Sequence, residues 1–192
     1  MKSLVLTIIG LDRPGLVERL SHTIAAHEAS WQESRMSRLA GRFAGILRVQ
    51  VPDPRLDSLE VALLGLEAEG LRVLVERSGD EGPVHEHRAL LLELVGQDRP
   101  GIIRDVSEAL AAREVNVIEL ESTCSSAPMA GEMLFTARAR LSSPGGVSLD
   151  DLRETLEKIA HDLMVDLTLD EEPESSSTPL TSKRSGRVRR DG

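Results

Sequence analysis

Two stretches of the chain repeat one pattern of apolar and polar positions. Leu4 to Ile9 is an apolar run of strand length ending at Gly10, and Ala89 to Val95 is another ending at Gly96. Each predicts a β-strand. A helix follows in both places, opened by Pro14 or Pro100, because the missing N–H of proline costs nothing in a first helical turn. Asp12 and Asp98 stand where they can cap the free amides. Leu16, Val17, Leu20 and Ile24 form one predicted buried stripe, and Ile102, Ile103, Val106 and Leu110 form its counterpart.

The repeat is explicit in the letters. GLDRPGLV (Gly10 to Val17) recurs as GQDRPGII (Gly96 to Ile103). In the same register Leu4, Leu6 and Ile8 fall on Leu90, Leu92 and Leu94. Glu33 falls on Glu119, and Ala44-Gly45 on Ala130-Gly131, after which the register slips by a few residues. A single shared pentapeptide arises by chance far more easily than a shared apolar frame on both sides of it.

Two further strands are predicted in each copy, roughly Ser30 to Leu39 with Arg42 to Val51, and Asn116 to Cys124 with Gly131 to Leu141. Pro52 and Pro54 stop the third strand. A helix is expected from about Arg55 to Glu69, with Leu59, Leu63 and Leu66 on one face and Gly70 ending it. Its partner is expected from about Ser148 to Asp162. Leu71 to Glu76 and Met164 to Leu169 close the copies. The order is βαββαβ twice, which predicts an α+β fold of two tandem ferredoxin-like modules, each an antiparallel sheet with both helices on one face. The expected division is 1–77, a polar linker at 78–87, 88–170, and a disordered tail at 171–192, rich in Ser, Thr, Pro and charge.

Composition narrows the function classes. Of 192 residues 40% are apolar but only 2% aromatic, so the cores must be aliphatic, and base-stacking nucleic-acid modules are disfavoured. The net charge of −9 argues against a general phosphate-backbone binder. The tail departs from this, with Lys183, Arg184, Arg187, Arg189 and Arg190 against Asp191 after Ser175. The one cysteine, Cys124, fits a reducing compartment, and no stretch reads as a signal peptide or membrane span. A cytoplasmic protein is expected.

The Gly-x-Asp-x-Pro-Gly turn between first strand and first helix, present as GLDRPG and GQDRPG, resembles that of the ACT domain, a small-molecule sensing module of amino-acid metabolism. Two such modules with no enzyme domain between them resemble the glycine cleavage system transcriptional repressor family, over residues 1 to about 170. The resemblance implies paired modules with sheets side by side, and an amino acid held between the turn of one copy and a neighbouring copy. Carried onto this chain, the ligand-binding candidates are Asp12, Arg13, Pro14, Gly15 and Leu16, then Asp98, Arg99, Pro100, Gly101 and Ile102, with Asn116 as a further one. It also implies a DNA-binding regulator as protein partner; from the charge and the absence of any membrane-length apolar run, neither direct nucleic-acid contact nor a membrane is expected.

The turn has a physical case of its own. A helix start presents unpaired N–H groups and partial positive charge, which suit a carboxylate. Gly15 and Gly101 let a ligand approach the backbone. An aspartate beside them suits an α-ammonium group. Plain capping by Asp12 and Asp98 stands as the alternative, as do solvation or an interface ion pair for Arg13 and Arg99. Copy one has Ser30 where copy two has Asn116, and Arg35 and Arg38 where copy two has Glu121 and Cys124. The two copies are therefore not expected to be equivalent.

Other features carry less. His85 and His87 in a polar linker lack partners at zinc spacing, so no metal is expected. Cys124 among hydroxyls is expected to be a free structural thiol. The basic tail contains no folded DNA-binding motif. No nucleophile–base pair, metal cluster or phosphate loop is legible, so neither catalysis nor a cofactor is expected. The expected function is a regulatory, amino-acid-responsive protein that forms oligomers; a ligand-free oligomerisation and interaction module is the alternative.

Overall fold

Alternation in the first strand of each copy fixes which face of the sheet meets the helices. A computed structural model describes residues 1–78, 87–126 and 133–172. The chain divides into two units, Met1–Val84 and His85–Gly192. The first contains β1 (Lys2–Leu11), α1 (Leu16–Ala26), β2 (Ser30–Leu39), β3 (Arg42–Val51), α2 (Leu56–Gly65) and β4 (Leu71–Arg77). The second contains β5 (His87–Gln97), α3 (Ile102–Ala111), β6 (Asn116–Ser126), β7 (Met133–Pro144), α4 (Leu149–Leu163) and β8 (Val165–Glu171). The strand orders are β2-β3-β1-β4 and β6-β7-β5-β8, and every pairing is antiparallel. This is the ferredoxin-like α+β topology, twice.

In the first unit Leu4, Leu6 and Ile8 of β1 meet Leu16, Leu20 and Ile24 of α1 and Leu59 and Leu63 of α2 in one buried cluster. Leu90, Leu92 and Leu94 of β5 meet Ile102, Val106 and Leu110 of α3 and Leu152 and Leu156 of α4 in the other. Each buried Leu or Ile contributes about 1.5–3 kcal/mol. Apart from Phe135, the buried cores are aliphatic, as the composition requires.

Local details depart from the sequence reading. Val17 is 45% exposed and Ile103 37% exposed, since each sits one residue round the helix from the buried Leu16 or Ile102. The helix expected over Arg55 to Glu69 is an α-helix only from Leu56 to Gly65. A tight three-residue turn at Asp53–Arg55 precedes it, and a second tight segment, Leu66–Glu69, carries the chain to Gly70 at φ +79°. Met164, expected in the last strand, caps α4 in the left-handed region at φ +54°, the role Gly70 has in the first unit. β8 continues through Glu171, paired with Leu90, and β5 begins at His87. The rest of the expected linker (79–86), Ala130-Gly131 and the tail from 173 lie outside the described residues.

Candidate functional site

The first strand of each unit runs straight into its helix through the Gly-x-Asp-x-Pro-Gly turn, and each motif residue has a distinct task. Gly10 permits close strand packing: a Cβ there would lie 2.7 Å from the Gly70 carbonyl oxygen. A Cβ at Gly96 would collide with Val165 in the same way. Gly15 and Gly101 take φ +92° and +105°, a conformation that costs an L-residue roughly 1–2 kcal/mol. The helices begin one residue later, at Leu16 and Ile102.

This geometry overturns the expected caps. The residue preceding each helix is a glycine, and no side chain caps either helix. Asp12 and Asp98 lie three residues upstream of those glycines. The carboxylates instead meet the second strand of their own sheet, Asp12 at Arg38 and Asp98 at Cys124. Pro14 and Pro100 consequently lie before the helix, in the turn. The leading amides of α1 and α3 therefore stay uncapped, which is the state an incoming carboxylate requires. Leu16 and Ile102 bury their side chains in the core, so they offer a ligand only their backbone.

The two turns differ in what surrounds them. In the first, the Asp12 amide donates to the Gly41 carbonyl at 3.0 Å, and Arg38 Nε pairs with Asp12 Oδ2 at 3.1 Å. Arg13 donates to the Glu69 carbonyl oxygen at the end of the second helical segment. In the second, the Asp98 amide donates to the Met133 carbonyl at 2.8 Å. The thiol of Cys124, at the position matching Arg38, faces the Asp98 carboxylate. Its pKa is pushed up by desolvation first, then by the charge of Asp98 and their hydrogen bond. Arg99 reaches the Met164 sulfur at 3.7 Å. Both arginines thus contact the end of the second helix of their own unit.

The first helical turns differ as well. Glu18 stands near Gly15, 3.7 Å from where a methyl group would be. At the matching place in α3, Arg104 folds over Gly101, its guanidinium 3.0 Å from such a methyl, while Nε pairs with Asp105 at 2.7 Å. Arg38, Glu18 and Arg104 stand beside the two turns; sequence reading noted Arg38 only as a difference between copies and passed over the other two. Asn116 is not brought to the turn of its own unit. It pairs with Ser142 at the start of β6, whereas Cys124 and Ser126, near the turn, pair with Phe135 and Met133.

A second feature separates the units. In the second, a small apolar cleft of about 30 Å³ opens between α3 and β6, lined by Leu94, Ile103, Val106, Val117 and Leu120 among others. The matching region of the first unit is packed with Trp31, Met36 and Phe43, and Trp31 Nε1 donates to Ser34 Oγ at 3.2 Å. Among the described residues no group of three or more His, Cys, Asp and Glu gathers as a metal site, and no helix is long and apolar enough to cross a membrane.

Residues 2–76 and residues 90–161 each match the ACT domain family. Among solved structures, a protein of unknown function from Galdieria sulphuraria is 29% identical, with TM-score 0.77, over 90% of this chain and 99% of that one. A second, described as a candidate glycine cleavage system transcriptional repressor, is 16% identical with TM-score 0.67, over 88% of this chain and 96% of that one, and so shares the fold. No curated protein matches the chain in sequence.

Proposed function

Because the chain belongs to the ACT domain family, with one domain at residues 2–76 and another at residues 90–161, we propose that it is a non-catalytic regulatory protein that binds an amino acid at a Gly-x-Asp-x-Pro-Gly turn. The observation carrying this reading is the uncapped helix start beside a carboxylate. An amino acid carries its two charges a few ångströms apart. Its carboxylate suits the open amides and the positive end of the helix dipole, and its ammonium suits the aspartate. A neighbouring copy closing over the turn would complete the enclosure, and Asn116, remote from its own turn, is then a candidate to serve a turn on another module.

The fold shared with a candidate glycine cleavage repressor suggests the regulatory field. In that field the protein acts in the cytoplasm as a transcriptional regulator, through a DNA-binding protein partner. Ligand then shifts the balance between partner-binding states by its differential affinity for them. A ligand-free interaction module is the second reading. It is favoured by the edge strand β6, where Val117, Ile118 and Leu120 are all more than a third exposed.

Thermal unfolding against the twenty amino acids separates the two. Ligand at 100 times its Kd adds about 2.7 kcal/mol, and each kcal/mol moves the midpoint of a chain this long by roughly 2–4 °C. A rise of several degrees with one or two amino acids supports the sensor. A flat response across all twenty contradicts it and leaves the interaction module.

A further inference from the structure

On the side away from the helices, the two sheets turn opposite kinds of surface outward. We infer that the open face of the first sheet is a docking surface for a second copy of this chain, and that it takes the open face of that copy's second sheet. The inference goes beyond the amino-acid reading and does not depend on it.

The alternation that buries Leu4, Leu6 and Ile8 beneath the helices puts Val5, Thr7 and Ile9 on the open face. Thr7 stands between Ile46 of β3 and Leu74 of β4 on one rung, and Ile9 is the next residue of β1 on that face. Ile9, Ile46 and Leu74 are 46%, 52% and 58% exposed, so three large aliphatic side chains lie together at the surface. Single exposed apolar residues need no explanation, but a contiguous set marks an interaction surface. The rim of this face carries Arg35, Arg42, Arg48 and Arg72 against Glu33 and Glu76. It is therefore net positive, in a chain whose net charge is −9. Two acidic molecules repel at most approaches, and a basic apolar face is where one can receive the other.

The open face of the second sheet has the opposite sign. On the rung that matches Thr7, Glu93 stands between Arg138 and Thr168. Glu121 takes the place of Arg35, and Asp166 the place of Arg72. Arg138 is held by Glu93 at 3.4 Å, and Arg140 by Glu119 at 3.7 Å and Glu172 at 3.1 Å. Glu121, Asp166 and Asp170 have no ion-pair partner among the described residues. Leu91 and the 38% exposed Val95 lie between these charges and can meet the aliphatic centre of the first face. A four-stranded face of this length covers roughly 500 Å², at about 3.4 Å per residue and about 4.8 Å per strand. Each chain carries one face of each kind, so two chains have two such contacts to make. Together these bury on the order of 1,000 Å² per chain, which is enough for a stable dimer. The pairing is face on face and leaves the strand edges β2 and β6 unused.

Sedimentation velocity of the full chain, without added amino acid, from low to high micromolar concentration tests this. The expected result is a dimer that forms with concentration and weakens as salt rises. Leu74→Asp should abolish it, and Arg42→Glu with Arg72→Glu should weaken it by about tenfold or more. All three positions are exposed, and each variant should keep its cooperative melting. Adding Asp166→Lys and Asp170→Lys to the arginine double variant reverses both faces and should restore the dimer. Ile118→Asp, on the edge strand β6, should leave it intact. A monomer at every concentration, a dimer indifferent to Leu74→Asp, no rescue by the second reversal, or a dimer lost in Ile118→Asp would each overturn the assignment. None of these outcomes bears on amino-acid binding, which thermal unfolding reads separately.

Discussion

Met36 stands directly across the β2–β3 ladder from Gly45, and a methyl group added at Gly45 would lie 2.6 Å from its Cγ. Met36 packs against the first core at the rung that matches the one beside the cleft of the second domain. A glycine on β3 lets the β2 backbone and the Met36 side chain settle onto the sheet. At the matching rung of the second domain, Ser122 faces Ala137, and the space beside them stays open to Leu120 and Ile103. Gly45→Ala should therefore destabilise the first domain by about 1–3 kcal/mol, as overpacking does. Ala137→Gly should cost well under the larger of those values. Thermal midpoints of the two variants check the contrast.

A glycine-to-alanine change should have opposite signs at two other places. At Gly65, the last residue of α2 with φ −61°, an added methyl meets nothing within 4 Å. The alanine restricts the unfolded chain and favours the helix, so Gly65→Ala should stabilise by about 0.4–1 kcal/mol. At Gly15 the φ of +92° makes the same change cost about 1–2 kcal/mol. Chemical denaturation of both variants shows whether the sign follows the backbone angle.

Cys124 supplies a reporter of the second turn, because it is exposed and is the only thiol in the chain. Its raised pKa keeps it protonated at neutral pH. Alkylation should be slow there and accelerate only at a pH above that of an ordinary thiol. Asp98→Asn removes the charge and hydrogen bond that hold the proton, so its alkylation profile should move to lower pH. A profile unchanged by Asp98→Asn would show that the carboxylate and the thiol do not interact in solution.

The end of β4 carries a small charge network. Arg77 binds Glu60 at 2.8 Å and Asp57 at 2.9 Å, and its hydrogen bond and charge lower the Glu60 pKa below 4.5. A carboxylate with a depressed folded-state pKa contributes stability that is present above its unfolded value and lost as pH falls through the folded one. The stability difference between the unmodified chain and Glu60→Gln should thus be constant from neutral pH down to about 5. It should shrink below pH 4.5 and vanish in stronger acid. A difference that grows on acidification would contradict the pairing.

The elements were legible because aliphatic residues alternate so regularly. Leu4, Leu6 and Ile8 mark a strand, Leu16, Leu20 and Ile24 mark a helix, and the repeat doubles each signal. The turn was legible as a motif but not as a geometry. Asp before Pro reads as a cap, and only the positive φ at Gly15 and Gly101 shows that the helix starts too late for that aspartate to reach it. The contact of Asp12 with Arg38 depends on the β2–β3 register, which carries a bulge between Trp31 and Glu33 that sequence spacing does not reveal. Glu18 and Arg104 read as ordinary helix surface until the fold places them over the two glycines.

The most direct test of the account is a ¹H–¹⁵N spectrum of the labelled full chain, titrated with each of the twenty amino acids, glycine and L-serine first. The account predicts saturable shifts of the amides at one or both turns, Gly15 to Val17 or Gly101 to Ile103, with one or two of them. Spectra that do not move with any amino acid, or shifts confined to residues away from both turns, would contradict it.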